Sequence, residues 1–335
     1  MGSCCESGNG INHSLNENPP NKIQDINKNH SIKEDDGSKE IEEIKPQIQL
    51  YKNFNCKKTI KEPDIITFLI ELNNKKLMSG SSNGNMKIWN LYNFEFELLI
   101  KEDKKILCLL EFEPNMVLCG TQSKSINLWN INNPNEKIAS FNEHSLSVNC
   151  LVKCNDKYFA SASNDKDIRI WNYSLRKCER ILKGHTNNIF CLLKSHNNII
   201  YSGSADKTVK RWNWEKGECE GTFCIQSWVK SLCQLSDGRI ISGSDDKIIQ
   251  IWYKYKQIMT FIGHKDSIKC LCNIDNSYLA SASFDKTIKI WDLKNGECLQ
   301  TLEEHNDKVI CLLKHSLGYL ISCSNDRTIK FWKQD

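Results

Sequence analysis

The stretch SASFDKTIKIW, Ser281–Trp291, decides the fold, because it recurs. SASNDKDIRIW occupies Ser161–Trp171 and SGSADKTVKRW occupies Ser202–Trp212. Each consists of two short runs of β-prone residues around an Asp-Lys pair, the pattern of a tight antiparallel hairpin. The closing tryptophans stand at Trp89, Trp129, Trp171, Trp212, Trp252, Trp291 and Trp332, at intervals of 40, 42, 41, 40, 39 and 41 residues. Seven of the nine tryptophans therefore mark one period, which is the signature of a repeat architecture.

Outward from the hairpin, an apolar run precedes it, with a cysteine 21 residues before the Trp at Cys108, Cys150, Cys191, Cys270 and Cys311. A further strand follows it, as at Cys178–Lys183 and Cys298–Glu303. Each period thus supplies four strands of about five residues. A histidine lies 27 residues before its Trp at His144, His185, His264 and His305, a constancy that places the two side chains together in space.

Four strands per 40-residue unit, with Gly-His at Gly184-His185 and Gly263-His264 and Trp-Asp at Trp291-Asp292, resemble the WD-repeat family of β-propellers. The resemblance covers residues 48–335 and implies an all-β, seven-bladed propeller of four-stranded antiparallel blades. It also implies a hydrogen-bonded tetrad in each complete blade. The matching positions are His144, Ser161, Asp165 and Trp171; His185, Ser202, Asp206 and Trp212; His264, Ser281, Asp285 and Trp291; and His305, Ser322, Asp326 and Trp332. Blade five keeps Ser242, Asp246 and Trp252 but has Ile225 at the His position. Blades one and two carry Asn83 and Ser123 in place of Asp and have no His, and are expected to be less rigid.

A His-Ser-Asp trio also suggests a catalytic triad, but one trio repeated four times at one spacing is a structural motif, and no nucleophile elbow accompanies it. The cysteines recur about 40 residues apart without a C-x-x-C partner, so they read as small apolar filling, with no metal and no cofactor expected. Arg211, where the other repeats place an apolar residue before the Trp, is expected to extend outward along its stem.

After Trp332 only three residues remain, too few for a fourth strand. Cys56–Lys61 aligns with the outer strands of other repeats, so this early segment is expected to complete blade seven and close the ring.

Residues 1–47 contain no aromatic residue and carry 5 Lys against 9 Asp+Glu, leaving a charge of +8 on residues 48–335 from the total of +4. Such a segment cannot bury a core and reads as a flexible, mildly acidic tail. Its first residues, Gly2, Cys4 and Cys5, resemble a myristoylation and palmitoylation signal. The seventeen cysteines follow no secretory signal, which points to reduced thiols in the cytoplasm. The small net charge does not imply nucleic acid, and apolar runs such as Ile106–Leu110 are strand-sized, too short to span a bilayer.

For partners, the resemblance implies a rigid platform whose loops on one face, around the central channel, touch other proteins. Two rings of positions belong to that face. One holds the residue before the turn Asp, including Asp245, Phe284 and Asn325. The other holds the residue before the inner strand's leading apolar position, including Asn188, Trp228 and Lys308. Trp228 and Phe284 stand out as aromatics among small or polar residues, and two readings of Trp228 are open: a binding hot spot, or a steric replacement for the His missing from blade five. The chain is thus expected to be a monomeric, non-catalytic protein-interaction scaffold, tethered by acyl chains to the cytoplasmic face of a membrane. A soluble adaptor, such as the substrate-recognition subunit of a ubiquitin ligase, is the first alternative, and a propeller enzyme the second. A G-protein β-subunit is disfavoured, since residues 1–47 lack heptads.

Overall fold

A computed structural model describes residues 53–335. The tail, with Gly2, Cys4 and Cys5, lies outside the described residues. Within them, 28 strands form seven four-stranded sheets, and every strand pair is antiparallel. The inner strands, such as Val148–Lys153, line the channel; the third strands, such as Ile168–Asn172, carry the marker Trp; and the outer strands, such as Lys177–Leu182, complete each blade.

Two irregularities recur in the ladder. In every blade the register slips just after the leading residue of the inner strand, as between Val148 and Cys150 or Val229 and Ser231. A second slip falls at the Trp, as between Ile170 and Trp171. A bulge adds a residue to one strand, bends it and sharpens its twist. Repeated near the channel, it re-aims the side chains that follow each leading residue.

The Asp-Lys turns place a cation in the left-handed region, with φ of 75° at Lys166, 67° at Lys207 and 74° at Lys286. The preceding Asp supports this conformation by accepting the amide of the residue two further on, at 3.1 Å from Asp167 and 2.9 Å from Thr287. Blade one uses Gly84 (φ 90°) at this position, and no other residue fits, because a Cβ there would lie 1.9 Å from the Glu102 carbonyl oxygen.

The core is a set of seams between neighbouring blades. Ala160, Ile168, Ile170 and Leu182 of blade three pack with Ile189, Leu192, Ile200 and Trp212 of blade four. The same arrangement joins Ile241, Ile249 and Phe261 of blade five to Ile268, Leu279 and Trp291 of blade six. Since each Trp is pressed against the blade before it, the seams fix the angle between blades as well as burying apolar area.

Blade seven takes its outer strand from Phe54–Lys61, paired with Thr328–Gln334 in seven register positions from Phe54 opposite Gln334 to Lys61 opposite Thr328. The strand starts two residues earlier than the sequence alignment implied. Phe54 is buried, and Gln300 of blade six clamps its backbone: the Gln300 side chain accepts from the Phe54 amide and donates to its carbonyl, both at 2.8 Å. Ile60 of the same strand reaches the seam between blades seven and one, with Ile329, Phe331, Ile66 and Trp89.

Candidate functional site

In the four complete blades the structure brings each predicted quartet together. The Trp171 indole N–H donates to Ser161 Oγ at 2.7 Å, Ser161 Oγ lies 2.6 Å from His144 Nε2, and His144 Nδ1 lies 2.7 Å from Asp165 Oδ2. The blades of Trp212, Trp291 and Trp332 repeat these distances to within about 0.1 Å. One assignment of hydrogens gives every group a role: indole to hydroxyl, hydroxyl to Nε2, and Nδ1–H to carboxylate.

Each carboxylate is also held by backbone. Asp165 accepts the Ser145 amide at 2.9 Å, and Asp206, Asp285 and Asp326 accept the amides of Thr186, Lys265 and Asn306. Burial alone would raise these carboxyl groups, but the hydrogen bonds and the adjacent imidazole prevail. Asp165 falls to about 2, and Asp206, Asp285 and Asp326 lie lower still. The hydroxyls of Ser161, Ser202, Ser281 and Ser322 sit on residues with 0% exposure and already accept an indole N–H. A closed, fully engaged hydroxyl is a brace and cannot attack a substrate.

The incomplete blades solve the same problem with other groups. In blade two Cys119 stands at the Ser position, and Glu102 takes over as acceptor, 3.2 Å from the Trp129 indole nitrogen and 2.8 Å from Asn127 Nδ2, while only 6% exposed. In blade one Trp89 donates to Ser79 at 2.8 Å, and Glu62 pairs with Lys87 at 2.7 Å. Glu62 and Glu102 both lie 27 residues before their Trp, the offset of the histidines. Neither blade carries the His of the complete blades, although the 27-residue offset alone identifies both glutamates. In blade five Trp252 still donates to Ser242 at 2.9 Å, and Ile225 fills the His space against Trp252 and Phe223.

The two rings around the channel are joined in every blade by one backbone bond, from the residue before the turn Asp to the residue before the inner strand. Ala205 donates to Asn188 at 2.8 Å, and Asp245 to Trp228, Phe284 to Ser267 and Asn325 to Lys308, each at 2.9 Å. The loops that carry the face are therefore fastened to the braced turns beneath them.

On that face the residues gather in two groups. Trp228 is 44% exposed, so it does not replace the missing His, whose space Ile225 occupies. Its ring centroid lies 6.2 Å from that of Phe190, and Lys230 Nζ sits 4.6 Å from the Trp228 ring and 4.0 Å from Phe190. Asp245 approaches the same ammonium at 3.8 Å. In the second group, Lys308 lies 4.8 Å over the Phe284 ring, on the blade that also carries Asn325. No ring contact joins Trp228 to Phe284 among the described residues.

Of the recurrent thiols, Cys150, Cys191, Cys270 and Cys311 lie along the channel, and Cys108 is fully buried against the Val148 carbonyl. Burial pushes Cys108, Cys150 and Cys191 up, so they remain protonated. Arg211 is paired with Glu220 on the neighbouring outer strand, beside Tyr201 and Phe223.

Seven radial sheets with braced turns around a narrow channel define the protein as a seven-bladed β-propeller. The model of the WD domain, G-beta repeat, family matches residues 135–172, 176–213, 217–253, 255–292 and 296–333, more than half of the chain, and the protein belongs to that family. The matched segments begin after the marker Trp of blade two. Two curated proteins of Arabidopsis thaliana are similar over a short stretch: target of rapamycin complex subunit LST8-1, 42% identical over 52 residues, and non-functional target of rapamycin complex subunit LST8-2, 42% identical over 53 residues. Each match spans 16% of this chain and 16% of the relative's own length.

Proposed function

We propose that this protein is a non-catalytic scaffold that captures protein partners on the channel-mouth face, with Trp228 as its anchor and Phe284, Asp245, Lys308, Asn325 and Asn188 around it. The observation that carries the reading is the 44% exposure of Trp228 on a face whose neighbouring loops are tied down by backbone bonds. A rigid, exposed indole loses little conformational entropy on binding and buries a large area, which is the usual make-up of an interface hot spot. The names of the Arabidopsis relatives describe subunits of a larger complex, and service as one subunit of an assembly suits a platform of this kind.

The test is affinity capture with the full-length chain. Trp228→Ala should weaken retention of a captured partner by about 2 kcal/mol or more, with Phe284→Ala weaker in effect. Neither should move the thermal midpoint. Undiminished capture by Trp228→Ala places the anchor elsewhere.

The second part of the proposal concerns the N-terminus. Gly2 with Cys4 and Cys5 offers one myristoyl and up to two palmitoyl sites, and one chain alone partitions into membranes with a constant of only about 10⁴ M⁻¹, so two signals are needed for stable attachment. Attachment would hold the scaffold on the cytoplasmic face. Gly2→Ala should move the protein from the membrane fraction to the soluble fraction. An unmodified N-terminal peptide in intact-mass analysis from the native host would favour the soluble-adaptor reading, of which a ubiquitin-ligase subunit is one form.

A further inference from the structure

Just inside the channel, one residue after each leading apolar position, the chain places Thr67, Asn149, Lys230 and Lys269 beside apolar Phe190 and Ile310. Two of these polar groups are bound to the frame. Thr67 Oγ1 lies 2.7 Å from the Ile106 carbonyl oxygen, and Asn149 Nδ2 donates to Asn164 Oδ1 and the Ile189 carbonyl, both at 2.7 Å. The two lysines, on adjacent blades, are not. Asp245 stands at 3.8 Å from Lys230, a loose pair with the carboxylate well exposed, and no ion pair engages Lys269 among the described residues.

Lys230 is nonetheless drawn in, with its side chain only 12% exposed between the rings of Phe190 and Trp228. Burial lowers its pKa, Lys269 acts in the same sense, and Asp245 opposes them. Two neighbouring cations with one loose counter-charge leave net positive charge in a neck where Coulomb interactions are stronger than in bulk water. The free volume there is about 210 Å³, below the roughly 300–1,000 Å³ of sites for drug-sized ligands and suited to a single side chain. Two cations in one cavity are also far fewer than the long basic track that a polyanion follows.

We propose that the neck receives one anionic side chain, carboxylate or phosphate ester, from an extended segment of a partner protein, held between Lys230 and Lys269 while flanking residues of the segment rest on Trp228. The proposal depends on the channel-mouth face being the partner surface, and it adds the chemistry that face selects. It also accounts for a lysine kept at the edge of an aromatic pair: the charge is positioned before the partner arrives, which limits the ordering needed on binding.

The experiment uses immobilised full-length protein and fluorescent peptide libraries with random flanks that differ at one central position, Glu or Gln. The Glu library should be retained roughly tenfold or more over the Gln library at low salt, the factor expected for a charge-assisted contact, and the preference should shrink as salt is raised. A double variant, Lys230→Gln with Lys269→Gln, should lose the preference while its thermal midpoint stays. A phosphoserine library held more tightly than the Glu library, with the same loss in the double variant, supports the same neck with phosphate as the anion.

Equal retention of the Glu and Gln libraries, or a preference that survives in the double variant, overturns the proposal. The face itself still stands in that case if Trp228→Ala lowers retention of both libraries alike. Failure to retain any library overturns the proposal too. A last variant of the full chain, Glu34→Gln with Asp35→Asn and Asp36→Asn, tests a competing occupant: a preference that appears only there makes this chain's own acidic segment the anion and overturns the partner assignment.

Discussion

A chain that begins at Glu62 is expected to be about 3–6 kcal/mol less stable than the full protein, the stabilisation supplied by burying two large apolar side chains, Phe54 and Ile60, that the shortened chain no longer has. More is lost than area. Thr328–Gln334 gives up seven paired positions and becomes an open edge, and Gln300 of blade six loses both bonds to the Phe54 backbone. The seam of Ile60 with Ile66 and Trp89 opens as well, so blade one loosens with blade seven. In an open array each repeat depends only on its neighbours, whereas a ring spreads the loss of one seam to both sides. Urea unfolding gives the stability difference, and hydrogen exchange shows whether protection drops first in blades seven and one. An unchanged urea midpoint would mean that the seams hold the ring without its closing strand.

The second large effect is on acid stability. Asp165, Asp206, Asp285 and Asp326 all titrate below an ordinary aspartate in the folded protein, because hydrogen bonds from His and backbone outweigh their burial. The unfolded chain, with aspartates near 3.9, binds more protons than the folded chain between about pH 5 and 2. Stability from these groups is therefore complete above about pH 5 and is lost as pH falls toward the folded values. Asp165 alone, at about 2, contributes at most about 2.6 kcal/mol, and four such groups act together. Asp285→Asn should lower stability by about 1–3 kcal/mol at pH 7 by leaving the His264 Nδ1–H and the Lys265 amide poorly matched. The difference between this variant and the parent should shrink at pH 2.5, where Asp285 of the unfolded parent is already protonated and folding must release that proton. Urea titrations at pH 7, 4 and 2.5 check both statements, and a difference that stays constant across them would remove the carboxylate from the explanation.

What the sequence made legible was whatever the repeat states several times. Seven tryptophans at a fixed interval gave the blade count, and Cys56, aligned with Cys178 and Cys298, gave the closing strand. The start of that strand at Phe54 was not legible, because it depends on Gln300 in another blade. Glu62 and Glu102 are not legible by residue type, because the fold keeps a position and accepts any side chain that satisfies its neighbours. Two readings of Trp228 stayed open because exposure is a property of the assembled ring: only with Ile225 seated against Trp252 is the indole left at the surface. The cluster around Lys230 joins Phe190 and Trp228 across blades four and five, a proximity that the bulged inner strands create and that no local motif announces.

Ring closure also sets a timetable for synthesis. Lys330 Nζ donates to Thr59 Oγ1 at 3.0 Å across 271 residues of chain, so the earliest strand of the ring waits for the latest to leave the ribosome. At ordinary translation rates that interval is roughly tens of seconds. Throughout it a half-made propeller exposes the seam that blade seven later covers, and a chaperone able to mask Ile66, Leu69 and Trp89 for that period would raise the yield of closed rings.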